Sequence, residues 1–150
     1  MACGRLRSVG RTTDGCARLL PTRFRLALLL AVFSGSAAAE WVQVGGNDPL
    51  TAYADPTTIR WAGSLVKMSV LYNFKITKTS PSGKSFMSVK EQDEFDCKDE
   101  RNRVLDFTMH SGQMGIGDVV LANAEALAWQ PVPAGGSVIE PLWKFACGKK

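Results

Sequence analysis

The run from Leu65 to Phe74 constrains the fold most. Val66, Met68, Val70, Tyr72 and Phe74 recur at every second position, while Lys67, Ser69 and Asn73 share the other face with Leu65 and Leu71. Period two is the repeat of a strand with one face in a core, and it excludes a helix over these residues. A second long strand is expected from Ser85 to Cys97, after the loop from Lys78 to Lys84. Phe86, Ser88, Lys90, Gln92 and Glu94 alternate there with Met87, Val89, Glu91, Asp93 and Phe95. Charge falls on both faces of its middle, so part of it is expected to face water.

Shorter strand signals surround these two. Trp41 to Val44 alternates and is closed by the turn cluster Gly45 to Pro49. Residues 52–54 and 59–61 flank Asp55-Pro56-Thr57-Thr58, read as a turn or a single helical turn, and Gly63 marks a hairpin. Residues 103–110 and 118–122 give two more strands across the glycine-rich segment Ser111 to Gly117. These connections are too short for parallel crossovers, so a mainly antiparallel meander is predicted. The period then changes: Ser137-Val138-Ile139-Glu140 has the capping-box pattern. Ile139, Leu142, Trp143, Ala146 and Cys147 follow helical spacing behind it. The expected class is α+β, an antiparallel sheet of about six strands covered by a C-terminal helix.

The N-terminal segment has a different character. Residues 1–39 hold six Arg and one Asp, followed by the apolar run Leu26 to Phe33 and the small residues Ser34 to Ala39. That order matches a secretory signal peptide cleaved between Ala39 and Glu40, leaving residues 40–150 as the mature domain. Eight apolar residues reach only ~12 Å as a helix, against a hydrocarbon core of ~30 Å, so no transmembrane span is expected in the mature protein. No Cys follows the apolar run to accept a lipid. The chain's formal charge of +4 resides in the leader, because residues 40–150 carry 12 Lys and Arg against 13 Asp and Glu. A nucleic-acid partner is therefore not expected.

Export also sets the redox context. Cys3 and Cys16 leave with the leader, and Cys97 and Cys147 remain in an oxidising compartment, where a disulfide is the default. It closes a loop of about 51 residues and is worth ~4 kcal/mol on the chain-entropy account. A redox pair normally has the Cys-x-x-Cys spacing. Zinc asks for about four ligands, whereas the mature chain offers two Cys and one His. No metal and no cofactor is expected.

Catalytic residues are scarce. His110 is the single histidine, and in a strand its neighbour Ser111 points to the opposite face, so the two do not make a dyad. The acidic residues Glu91, Asp93, Glu94, Asp96, Asp99 and Glu100 are interleaved with Lys90, Lys98, Arg101 and Arg103, and read as a solvated, charge-paired edge. Gly112, Gly115 and Gly117 lie between strands and do not form a phosphate cradle. Trp41, Trp61, Trp129 and Trp143 read as core or rim packing, with a binding platform as the alternative if two of them share one exposed surface. Lys75, Lys78, Lys84 and Lys90 surround the 78–84 loop and are the candidate ligand contacts, suited to an acidic partner such as a glycosaminoglycan.

Five ordered motifs carry a resemblance. They are Tyr53-Ala54-Asp55-Pro56-Thr57-Thr58-Ile59-Arg60, Leu65-Val66-Lys67, Ser88 to Gln92 running into Phe95-Asp96-Cys97, Ser111 to Gly115, and the closing Trp143 to Cys147. In that order the chain resembles the surface-adhesin protein E family of Gram-negative bacteria over residues 41–147. The resemblance implies a six-stranded antiparallel sheet with a C-terminal helix fastened by a disulfide. It also implies a non-enzymatic protein of the envelope, in the periplasm or at the cell surface, whose relatives bind host extracellular-matrix and serum proteins and form homodimers. The expectation is an exported adhesin-like binding module. The alternatives weighed beside it are a periplasmic structural or accessory protein with no host ligand, and a small hydrolase using His110.

Overall fold

The computed structural model describes residues 39–135 and 137–148. The expected signal peptide, apart from Ala39, lies outside the described residues. Seven strands and one helix follow in order: β1 (Val42–Asn47), β2 (Leu50–Ala62), β3 (Leu65–Thr79), β4 (Ser85–Asp96), β5 (Arg101–His110), β6 (Val119–Asn123), β7 (Gln130–Pro131) and α1 (Ile139–Cys147). A short 3-10 turn, Gln113–Gly115, lies between β5 and β6. Strands β1 to β6 pair in sequence order, each antiparallel to the next, and the two-residue β7 adds to β5. The meander is the topology that connections too short for crossovers require.

The alternation in β3 sorts the sheet into two faces. Val66, Met68, Val70 and Tyr72 are buried on the face that α1 covers, together with Ala52 and Ala54 of β2 and Phe95 of β4. From the helix, Leu142 and Ala146 are fully buried one turn apart, and Ile139, Trp143 and Cys147 pack around them. Trp143 Nε1 donates to the carbonyl of Asp96 at 3.2 Å. Cys97 and Cys147 form a disulfide with their Cα atoms 5.6 Å apart, fixing the end of α1 to the turn after β4. Pro141 sits in the first helical turn, where a missing N–H costs no bond, and its ring lies against β1 at Gly45. A Cβ at Gly45 would stand 2.8 Å from Pro141 Cγ.

Three local details differ from the sequence reading, the first being that β1 runs on through Gly45 and Gly46 to Asn47, where a turn cluster is expected. The segments around Ala52–Ala54 and Ile59–Trp61 belong to one strand, β2, whose register with β3 shifts between Asp55 and Arg60. Pro56 has no N–H for a ladder, and a bulge is where a strand tolerates it. Side chains supply the missing bonds: Asp55 Oδ1 accepts from Thr57 N at 2.9 Å, and Thr58 Oγ1 accepts from Ser69 N at 2.9 Å. At the helix start, Ser137 Oγ accepts from Glu140 N at 3.3 Å as a capping box requires. The Glu140 carboxylate, however, reaches Gly135 N at 2.8 Å instead of the amide of Ser137.

The acidic run is a correction. It is not a solvated edge, because β4 pairs with β3 on one side and β5 on the other, and Asp93, Glu94 and Asp96 are buried. On the face away from the helix, Glu94 and Asp96 are paired with Arg103 and Arg101. Glu91 and Asp93 face the covered side, in register with Val70 and Met68.

Candidate functional site

The expected lysine contacts separate into two places. Lys75, Lys78 and Lys84 stay on the β3–β4 hairpin. There Lys75 Nζ lies 3.7 Å from Asp48, Lys78 Nζ sits 5.8 Å from the Phe74 ring centroid, and the exposed Lys84 donates its backbone N–H to Ser80 Oγ. Phe74 stacks edge-on against Phe86 at 5.6 Å at the base of the hairpin that carries these cations. Lys90 is six residues further along β4, ~20 Å at the strand rise. Its stem occupies the space where a Cβ on Gly115 would stand, which makes glycine the residue that fits there at a positive φ of 70°.

The glycine-rich segment folds back over the outer face. Ser88 Oγ donates to the carbonyl of Gly112 at 2.5 Å and accepts from Gly115 N at 2.9 Å, while Asn73 Oδ1 accepts from Met114 N at 2.7 Å. The amides of Met114 and Gly115, which an anion cradle would need, are thus spent on side chains of the sheet. His110 Nε2 is hydrogen-bonded to Thr108 Oγ1 at 3.0 Å, and Ser111 Oγ accepts from Asp118 N at 2.9 Å, so the two neighbours serve different partners. Burial, reinforced by the Lys90 ammonium, holds the imidazole below its ordinary pKa and keeps it neutral at physiological pH.

Between this folded segment and β1 the outer face opens into a groove of about 330 Å³. Asp55, Ser69, Gln92 and Asp106 follow one another across β2 to β5 in register, and Trp41 and Lys90 also line the groove. The sequence reading did not single out this set. Each member is polar at a polar strand position, but their convergence depends on a register no single strand reveals. Further along the same face, Trp129 packs against two guanidiniums, Arg101 at 4.7 Å and Arg103 at 4.5 Å. Trp61 and Trp143 instead pack against the core under α1.

The covered face holds an unusual cluster. Asp93 is fully buried with its carboxyl against that of Glu91, and among the described residues the buried Tyr72 hydroxyl has no hydrogen-bond partner. Burial raises Asp93 well above the ordinary carboxylate range, aided by Glu91, and burial pushes Glu91 up to about 7. Tyr72 is likewise raised, by burial first and then by both acids. Among the described residues no group of three or more His, Cys, Asp or Glu side chains is placed to hold a metal ion. No helix of the described residues is long and apolar enough to cross a membrane.

Comparisons with known proteins agree with this architecture. The model of the Surface-adhesin protein E family matches residues 41–148. A structure of Haemophilus influenzae protein E superposes with a TM-score of 0.54 at 13% identity, covering 74% of this chain and 86% of that one. Its crystal form II gives 0.55 at 13% identity, with 74% and 89% covered. Protein E from non-typeable Haemophilus influenzae gives 0.52 at 12% identity, with 75% and 78% covered. At these identities the likeness is one of fold. A comparison with curated proteins finds no match.

Proposed function

The chain belongs to the surface-adhesin protein E family, and on that premise we propose that it is an exported, non-enzymatic, adhesin-like binding module of the bacterial envelope. The observation that supports this reading is the match of the family model across residues 41–148, nearly the whole of the described sheet and helix. In this reading the signal peptide is removed between Ala39 and Glu40, and the domain of residues 40–150 folds in the periplasm, where the disulfide forms. It then meets extended segments of host matrix or serum proteins, or acidic glycans. Lys78 and Lys84 on the β3–β4 hairpin are the leading contacts. Lys75 is partly neutralised by Asp48, and Lys90 lies apart in the groove. A cationic hairpin tip on a nearly neutral domain attracts an acidic segment and orients its approach.

Solid-phase binding to laminin, vitronectin and heparin tests the reading. Saturable binding that weakens with salt, and weakens further in the Lys78→Ala/Lys84→Ala double variant, is the expected result. Absence of binding to all three removes the adhesin role and leaves a periplasmic accessory protein.

A further inference from the structure

We propose that the groove on the outer face, walled by Trp41 and floored by Asp55, Ser69, Gln92 and Asp106, is a binding site for an uncharged saccharide. It is separate from the lysine hairpin, and the inference does not rest on the adhesin reading.

The floor decides how a ligand can be read there. It consists of β2 to β5, laddered side by side except at the β2 bulge after Asp55, where Thr58 Oγ1 takes the amide of Ser69, so no free strand edge faces the groove. A peptide that binds by adding a strand needs an unpaired edge, so recognition at this place falls to side chains. Those side chains are held in fixed positions. Asp55 is 3% exposed, and its Oδ1 accepts from both Thr57 N and Thr57 Oγ1, leaving Oδ2 for a ligand. Ser69 Oγ donates to Gln92 Oε1 at 3.3 Å, which leaves the two Nε2 protons of Gln92 for an incoming acceptor. Thr58 Oγ1 is locked between the carbonyl of Asp55 and the amide of Ser69. The part of the floor made by Asp55, Thr58, Ser69 and Gln92 is therefore organised before any ligand arrives, which lowers the entropy cost of binding.

Charge and shape narrow the class. Lys90 lines the groove together with the carboxylates Asp55 and Asp106, so the lining is of mixed sign and does not present the uniform positive field that a polyanion requires. A sugar ring has a rim of hydroxyls that both donate and accept, and a face of C–H groups. Carboxylate, amide and hydroxyl side chains satisfy the first, and a half-buried indole covers the second. The volume is at the lower end of the ~300–1,000 Å³ range of ligand clefts, which suits one or two rings and not a long chain. Ala39 also lines the groove, and cleavage before Glu40 would remove that contact.

The test uses protein purified from cells that export it, titrated with maltose, cellobiose, lactose and N,N′-diacetylchitobiose by calorimetry and tryptophan fluorescence. The expected result is saturation by at least one of them at one site per chain, with affinity nearly unchanged between low and high salt. Trp41→Ala and Asp106→Ala should each weaken that binding by about tenfold or more, whereas Lys84→Ala should not. Asp106 is exposed, so its variant keeps the test decisive even if Trp41→Ala does not fold. No saturable signal with any of the four sugars overturns the proposal. So does binding that both variants leave intact, or binding that collapses with salt.

Discussion

The Arg103 guanidinium donates two hydrogen bonds, from Nε at 2.8 Å and from Nη2 at 2.5 Å, to one oxygen of Glu94. The Glu94 side chain is 6% exposed and Arg103 31%, while Lys67, the second cation near Glu94, is 51% exposed and 3.8 Å away. The arginine thus carries most of the compensation for a carboxylate taken out of water. Its other face rests on Trp129 and ties the segment before β7 to the sheet.

Arg103→Ala is therefore expected to destabilise the fold by about 3 kcal/mol, because it strands Glu94 without its main partner. Lys67→Ala should cost less than about 1 kcal/mol, as an exposed partner in high dielectric does. Urea denaturation of both variants checks the contrast, and equal costs would show that the register gives the wrong partner.

Stability should fall as pH rises through neutrality. Glu91 has its pKa raised from 4.5 to about 7 in the folded state, so the folded chain binds the proton more tightly than the unfolded chain. The stability linked to that proton is fully present below pH 4.5 and is lost as pH rises through 7, a difference on the order of 3 kcal/mol. Asp93 beside it is raised in the same direction. Glu91→Gln should flatten the profile and raise the melting temperature at pH 8. A wild-type melting temperature that stays level between pH 5 and pH 8 would contradict this account.

Pro141 and Gly45 meet too closely for any side chain on the glycine. Gly45→Val should cost ~1–3 kcal/mol by overpacking, and combining it with Pro141→Ala should recover part of that loss. A double-mutant cycle by thermal melting measures the coupling, and strictly additive effects would place the helix elsewhere.

Much of the architecture was legible in the sequence because its signals are local. The alternation of Val66, Met68, Val70 and Tyr72, the short connections, and the helical spacing from Ile139 to Cys147 each need only neighbouring residues to be read. What was not legible depends on pairing. Pro56 argues for a turn by itself, yet β2 passes through it as a bulge, since Thr58 lends Ser69 the acceptor that the ladder lacks there. Asp93 looks like a solvated acid until β4 is known to be interior. Trp41, Gln92 and Asp106 come from three separate strand regions, and only the observed register sets them around one groove.

Replacing Cys147 by Ser should cost ~4 kcal/mol, the loop-closure contribution of a bridge that spans 50 positions. The comparison of urea midpoints for wild type and variant, with a reduced wild-type control, measures it. A shift of under about 1 kcal/mol would mean that helix packing alone holds the tail.

The bridge also lies at the far end of α1, at its last residue. A helix that lifts from the sheet must peel from Ile139 and swing about the sulfur pivot, so it stays captive and re-docks at a rate independent of protein concentration. A protease that cuts the connector between Pro131 and Ile139 would release no fragment. It would leave a nicked, two-chain molecule in which the severed helix still occupies its seat.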